Sequence, residues 1–196
     1  RTARPAYGSP EMSLHAAAAA DLTRYLGIPF MGTAGASESK RLDSQAALEA
    51  AVEIVMSGLS GAGLVHDCGF LDCADIGSLE MLVLCDEIIS IVRRMLRGLV
   101  VDQETIMLDL IERVGPGGHF IAEPASASLC RKEIWAPKIM DRNAYSIWEG
   151  KGSLDTSARV RQRLQKILAS HQPQPRPPGA AEKIDQILIN AETRYI

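Results

Sequence analysis

Hydrophobic positions along the chain recur at helical spacing, and short apolar runs separate the helical stretches. Ser9, Pro10 and Glu11 form a helix start, an N-cap followed by proline in the first turn, and the pattern predicts a helix to about Tyr25 that Gly27 ends. "IPFMG" (28–32) then reads as a short strand, followed by the small-residue loop "GTAGAS" (32–37). Asp43 caps a second predicted helix, with Leu48, Val52, Val55, Met56 and Leu59 as its apolar positions. "SGLSGAG" breaks it, and residues 62–67 read as a second strand.

Ser78 opens the longest predicted helix, which runs to about Arg97 with Met81, Leu84, Cys85, Ile88, Val92 and Met95 along one face. Gly98 stops it. Asp102 caps a further helix ending at "ERVGPGG", where Gly115 suits a left-handed C-terminal cap. "GGHFIAE" (117–123) is a third strand candidate. Beyond Pro124 the texture becomes short helices and ordered loops, then a charged helix from Ser153 or Asp155 to about Ser170. "HQPQPRPPG" (171–179) is a proline-rich spacer, and residues 180–196 form a terminal amphipathic helix. Residues 1–170 are therefore expected to form the main domain.

Helices alternating with short strands argue for a parallel α/β architecture. Alternation does not separate an open sheet from a (β/α)8 barrel, but a full barrel takes about 250 residues. With 196 residues and three or four strands, the chain holds only part of a barrel if it is one.

Composition narrows the function classes. At 46% hydrophobic, 23% charged and a net charge of −3, there is no electrostatic footprint for nucleic acid or an anionic membrane. No apolar run reaches the ~18 residues that span a bilayer. "RTARPAYGSPEMSL" lacks the apolar stretch of a signal peptide. Four cysteines in a chain this long do not make a disulfide framework, so a reducing cytoplasm is expected.

Phosphate-binding motifs fail. Gly32 and Gly35 are not followed by Gly-Lys-Ser/Thr, and "GLSGAG" (58–63) precedes a strand instead of following one. His66, Asp67, Cys68 and Cys73 lie outside zinc-ligand spacing, so no metal is assigned. Strand alternation puts His66 on one face with Leu64, and Asp67 on the other with Val65. At the C-terminal end of a barrel strand, either residue is a substrate contact or a structural group. Phe30, Phe70, Phe120, Trp135, Tyr145 and Trp148 fall where loops are expected, and such rings either pack a core or cage a quaternary ammonium.

Five stretches in order carry a family resemblance: "YGSPE"; "GIPFMGTAG" with "SESKRLDSQAALEA"; "GLVHDCGFLD"; "LVVDQETIMLDLIERVGPGGHF"; and "RKEIWAPKIMDRNAYSIWEGKG". Over about Ala6 to Arg194 the chain resembles the C-terminal part of the trimethylamine methyltransferase family, the corrinoid-dependent amine methyltransferases. The resemblance implies part of a (β/α)8 barrel with extra C-terminal helices. It also implies methyl transfer from a methylated amine to the Co(I) corrinoid (cobalamin) of a partner protein, feeding methanogenesis or related one-carbon metabolism. Trimethylamine enzymes of the family carry pyrrolysine in the loop corresponding to Ser37–Arg41. This chain has ordinary residues there, which implies a quaternary amine such as glycine betaine.

A quaternary ammonium already has a neutral amine as leaving group, so positioning and exclusion of water dominate, and no catalytic triad or metal is expected. The implied substrate-binding residues are Phe30, Thr33, Glu38 and Lys40 after the first strand; His66, Asp67 and Phe70 after the second; and His119 with Phe120 after the third. Glu38 or Asp67 would balance the ammonium charge. A part-barrel has open strand edges, so homo-oligomerisation is expected. Two rival readings stay open: a catalytically incomplete barrel fragment that acts as a binding or assembly module, and an unrelated α/β enzyme using His66 and Asp67 as an acid–base pair.

Overall fold

The computed structural model describes residues 3–195. By compactness the chain divides into two units, one up to Leu164 and one from Gln165 onward. The first unit is mixed helix and strand. Helix α1 (Pro10–Leu26) starts on Ser9, whose hydroxyl accepts from the Met12 amide, and stops at left-handed Gly27. Strand β1 (Met31–Thr33) leads to helix α2 (Ser44–Ser60), capped by Asp43. Strand β2 (Leu64–His66) pairs parallel to β1, with Met31 opposite Leu64 and Thr33 opposite His66. A β–α–β unit results, and both strands end at the same rim.

Next comes a tight antiparallel hairpin of β3 (Phe70–Leu71) and β4 (Ile76–Gly77), which alternation did not foresee. Asp72, Cys73 and Ala74 all adopt positive φ to turn it. Helix α3 (Leu79–Leu96) carries the centre of the core. Met81, Leu84, Cys85, Ile88 and Val92 are buried on one face as the spacing predicts, whereas Met95 is exposed.

Several expectations are corrected. The first strand is Met31–Thr33 and not 28–32, so Ile28 and Phe30 precede it. On α2 the buried positions are Ala46, Ala50, Glu53, Ile54 and Ser57, while Leu48, Val52 and Leu59 face outward. Small residues let α2 approach α3 and the loop after β1 closely, so the large apolar side chains take the opposite side. The helix expected after Asp102 is two pieces, α4 (Gln103–Ile106) and α5 (Leu108–Val114), because Met107 takes a left-handed conformation between them.

Residues 117–123 are not a strand. Positive φ at Gly115 and Gly117 bends the backbone there. The Phe120 carbonyl then accepts from the Glu123 amide at 3.2 Å, turning the chain into helix α6 (Pro124–Glu133). Helices α7 (Tyr145–Gly150), α8 (Thr156–Ser170) and α9 (Ala180–Tyr195) follow.

The core gathers Ala34, Ala46, Ala50, Ile54, Leu71, Met81, Leu84, Cys85, Ile88, Val92, Ile139 and Val160. Glu87 of α3 is wholly buried in it, and its Oε1 accepts from the amides of Lys138, Ile139 and Met140 at 2.9–3.0 Å. That carboxylate pins the segment after Pro137 onto α3. By contrast, Leu64 is 59% exposed and Val65 38% exposed, although parallel strands are ordinarily covered on both faces.

Candidate functional site

The loop from Ala34 to Asp43 joins β1 to α2, and its backbone is held from within. Glu53 Oε2 accepts from the amides of Gly35 (2.6 Å) and Ala36 (3.0 Å). One turn earlier, Glu49 Oε2 accepts from the Ser37 hydroxyl (2.6 Å) and the Glu38 amide (2.9 Å). The amides that could have cradled an external anion are thus occupied by two carboxylates of α2. Burial pushes the Glu53 carboxyl up from an ordinary 4.5 to about 8; its two amide donors oppose the shift, and Glu49 adds to it. Its second oxygen, Oε1, is buried with no hydrogen-bond partner.

Gly35 is required here on two counts. Its φ is +86°, and a Cβ would stand 2.9 Å from Cys68 Sγ and 3.2 Å from Cys85 Sγ. Cys68 Sγ also lies 3.3 Å from the Ala34 carbonyl and Cys85 Sγ 3.4 Å from the Gly35 carbonyl, completing a tight joint below the loop.

At the shared rim of β1 and β2 three polar side chains meet. The Thr33 hydroxyl donates to Asp67 Oδ2 at 2.6 Å, and His66 Nδ1 lies 2.6 Å from Asp67 Oδ1. The alternation expectation fails for Asp67: its φ of 75° takes it off the strand and brings its carboxylate to the imidazole beside it. Nδ1 is turned to the carboxylate, and the His66 side chain is 44% exposed. A cleft of about 340 Å³ opens beside them, lined by Phe30, Thr33, His66 and Asp67 together with Tyr7, Met12 and His15.

The remaining candidates stand outside that lining. Lys40 Nζ donates to the Glu38 backbone carbonyl at 2.6 Å and lies 3.6 Å from Asp72, so the Lys40 charge is directed toward the β3–β4 turn. Phe70 sits in β3 against Gly77. His119 and Phe120 occupy the turn between α5 and α6, not a strand end.

Tyr7, Met12 and His15 escaped the sequence reading. Met12, His15, Ala16 and Ala19 form one helical stripe on α1, and the lone histidine among alanines was the available signal. Glu49 and Glu53 were also missed. Two carboxylates four residues apart in an apolar helix, just after a small-residue loop, were there to be read. Among the described residues no group of three His, Cys, Asp or Glu side chains converges to hold a metal ion, and no helix is long and apolar enough to cross a membrane.

A family model described as trimethylamine methyltransferase matches residues 1–193. The chain belongs to that family. Among its relatives in the trimethylamine methyltransferase family is the glycine betaine methyltransferase of Desulfitobacterium hafniense (strain Y51), 35% identical over 167 residues, covering 85% of this chain and 35% of the relative. The trimethylamine methyltransferase MttB of Methanosarcina thermophila is 33% identical over 168 residues, covering 86% and 35%. MttB2 of Methanosarcina mazei is 30% identical over 188 residues, covering 96% and 38%. The chain spans about a third of the length of the curated relatives it matches.

Proposed function

We propose that this chain carries part of the amine site of a corrinoid-dependent methyltransferase, the site lying at the rim of β1 and β2. The carrying observation is the convergence of Thr33, His66 and Asp67 at the C-terminal ends of two parallel strands, beside a cleft lined by Phe30 and Tyr7. In parallel α/β folds that end of the strands is where ligands bind. Family membership and the parallel β–α–β unit support residues 1–170 as part of a (β/α)8 barrel, followed by a spacer (171–179) and a C-terminal helix (180–196).

The cleft suits an amine headgroup in size, and a corrinoid macrocycle is far too large for it. The corrinoid is therefore assigned to a partner protein that approaches the rim. When docked it would supply a Co(I) nucleophile. The chain's own residues bind and orient. Asp67 offers a carboxylate to the ammonium charge, and Thr33 and His66 hold both of its oxygens so that it cannot swing away. Phe30 and Tyr7 present ring faces to the methyl groups. Glu38, Lys40, Phe70, His119 and Phe120 are retained as candidates for the rim where the partner protein docks.

The loop at Ser37–Arg41 has serine, glutamate, serine, lysine and arginine, which supports a quaternary amine of the glycine betaine type. The activity belongs in a cytoplasmic pathway of methylamine-dependent methanogenesis or related one-carbon metabolism. The test is methyl transfer by the product of the full open reading frame, read as loss of Co(I) corrinoid absorbance, with trimethylamine, glycine betaine and carnitine in parallel. Consumption with a quaternary amine supports the reading; none with any quaternary amine refutes it.

One observation favours a second reading, a catalytically incomplete module that assembles with another chain or with itself. Leu64 and Val65 of β2 and Leu48, Val52 and Leu59 of α2 leave apolar surface uncovered. A stable homo-oligomer without corrinoid turnover would select that reading.

A further inference from the structure

Beneath the loop, the two sulfurs of Cys68 and Cys85 flank the empty Cβ position of Gly35. A point 2.9 Å from Cys68 Sγ is 3.2 Å from Cys85 Sγ, and no side chain fills the space between them. Each sulfur also contacts a carbonyl of the same loop, Cys68 Sγ that of Ala34 and Cys85 Sγ that of Gly35. Cys68 is half-buried at the end of β2, next to Asp67, whereas Cys85 is fully buried on α3. We propose that Cys68 and Cys85 form a peroxide-responsive thiol pair, in which Cys68 is attacked first and Cys85 resolves it to a disulfide.

The division of roles follows from their surroundings. The neighbouring Cys85, with a smaller contribution from His66, draws the Cys68 thiol down to about 7, while burial and Asp67 oppose it. A lowered thiol carries more thiolate, the form that attacks peroxide, than an ordinary cysteine does, and Cys68 is also the more exposed of the two. Cys85 moves the other way: its thiol is raised by the neighbouring Cys68 and by burial, so it stays protonated and unreactive until a sulfenic acid stands beside it. Glu53, with Oε1 unpartnered, completes the buried cluster.

The chemistry balances with one peroxide. The Cys68 thiolate attacks the O–O bond, forming S–OH and expelling hydroxide, which takes up a proton as water. Cys85 sulfur then attacks the Cys68 sulfur, its proton leaving with the displaced hydroxide as a second water. Two thiols lose two electrons and the O–O bond takes them. The bridge would tie the end of β2 to α3 directly below Gly35, and so fix the backbone that carries Asp67. Nothing in this step depends on what the cleft binds.

Reduced chain is treated with hydrogen peroxide at neutral pH, free thiols are capped with N-ethylmaleimide, and peptides are mapped by mass spectrometry. The expected result is a Cys68–Cys85 cross-linked peptide, reversible by dithiothreitol, with Cys73 and Cys130 capped. In Cys85→Ser, dimedone should trap a sulfenic acid on Cys68, while Cys73→Ser should leave the cross-link yield unchanged. A bridge from Cys68 to Cys73, Cys68 capped as the free thiol, or Cys68 driven to sulfinic acid with Cys85 still free would overturn the proposal.

Discussion

Replacing Glu53 with glutamine keeps an acceptor for the Gly35 and Ala36 amides while removing the α2 carboxyl that burial holds protonated. Glu53 is 5% exposed, and its carboxyl is pushed up to about 8 by burial. In the unfolded chain the same carboxyl ionises near its ordinary 4.5. Its contribution to stability is therefore complete below about pH 4.5 and is lost as pH rises toward 8, because only the unfolded chain releases the proton in that window. The slope is about 1.4 kcal/mol per pH unit, or about 5 kcal/mol over the whole interval.

Only part of that window is clean. Cys68, lowered from 9.0 to about 7, adds stability above pH 7. The lowered carboxyls of Asp43, Asp102 and Asp141 act only below their usual range. From pH 5 to 7 the native chain should lose about 3 kcal/mol through Glu53, and Glu53→Gln should show a nearly flat profile. Urea unfolding followed by the fluorescence of Trp135 and Trp148 at pH 5, 6 and 7 measures both. Parallel profiles for the two proteins, or a native chain more stable at pH 7 than at pH 5, would refute a buried protonated Glu53.

Three further outcomes are expected. Gly35→Ala should cost about 2–4 kcal/mol, since it adds an unfavourable φ to a clash with Cys68, whereas Gly27→Ala, also at positive φ but with open space around it, should cost about 1 kcal/mol; denaturant midpoints compare them. Asp67→Asn should weaken binding of tetramethylammonium or glycine betaine about tenfold, with Thr33→Val and His66→Ala intermediate, measured by calorimetry; unchanged affinity in all three would remove the cleft from the amine site. Glu87→Ala should destabilise the first unit by about 3–5 kcal/mol and speed hydrogen exchange at Lys138–Met140; protected amides there would show that another group holds the segment.

Helix starts were the most legible part of the sequence. Ser9, Asp43, Ser78 and Asp102 each cap the helix that local chemistry assigns them, because capping needs only a side chain and the amide three residues on. The buried face of α3 was legible for a similar reason, since large apolar residues at helical spacing leave one choice. On α2 the same rule misled. There, alanines and a glutamate are buried and leucines are not, a choice made by the approach of the loop and α3 and invisible to periodicity.

The strand expected at 117–123 failed because two glycines at positive φ redirect the run, which pairs with no strand among the described residues. His66 and Thr33 came together because parallel pairing aligns residues 33 positions apart in the chain, a relation that strand placement alone could anticipate. The turn of Asp67 toward His66 depends on one left-handed residue, which no pattern announced.

The inward-facing hydrogen bonds of the Ala34–Asp43 loop have a consequence for protein engineering. Residues 35–38 take their shape from acceptors that lie 11 to 18 residues further along the chain, at Glu49 and Glu53. The loop is therefore not a portable cassette. A chimera that imports only its ten residues would bring amides without their acceptors, while one that imports only the helix would leave the buried Glu53 without its two amide donors. Swaps intended to change substrate choice here should take the whole stretch from the strand end through Glu53 as one graft.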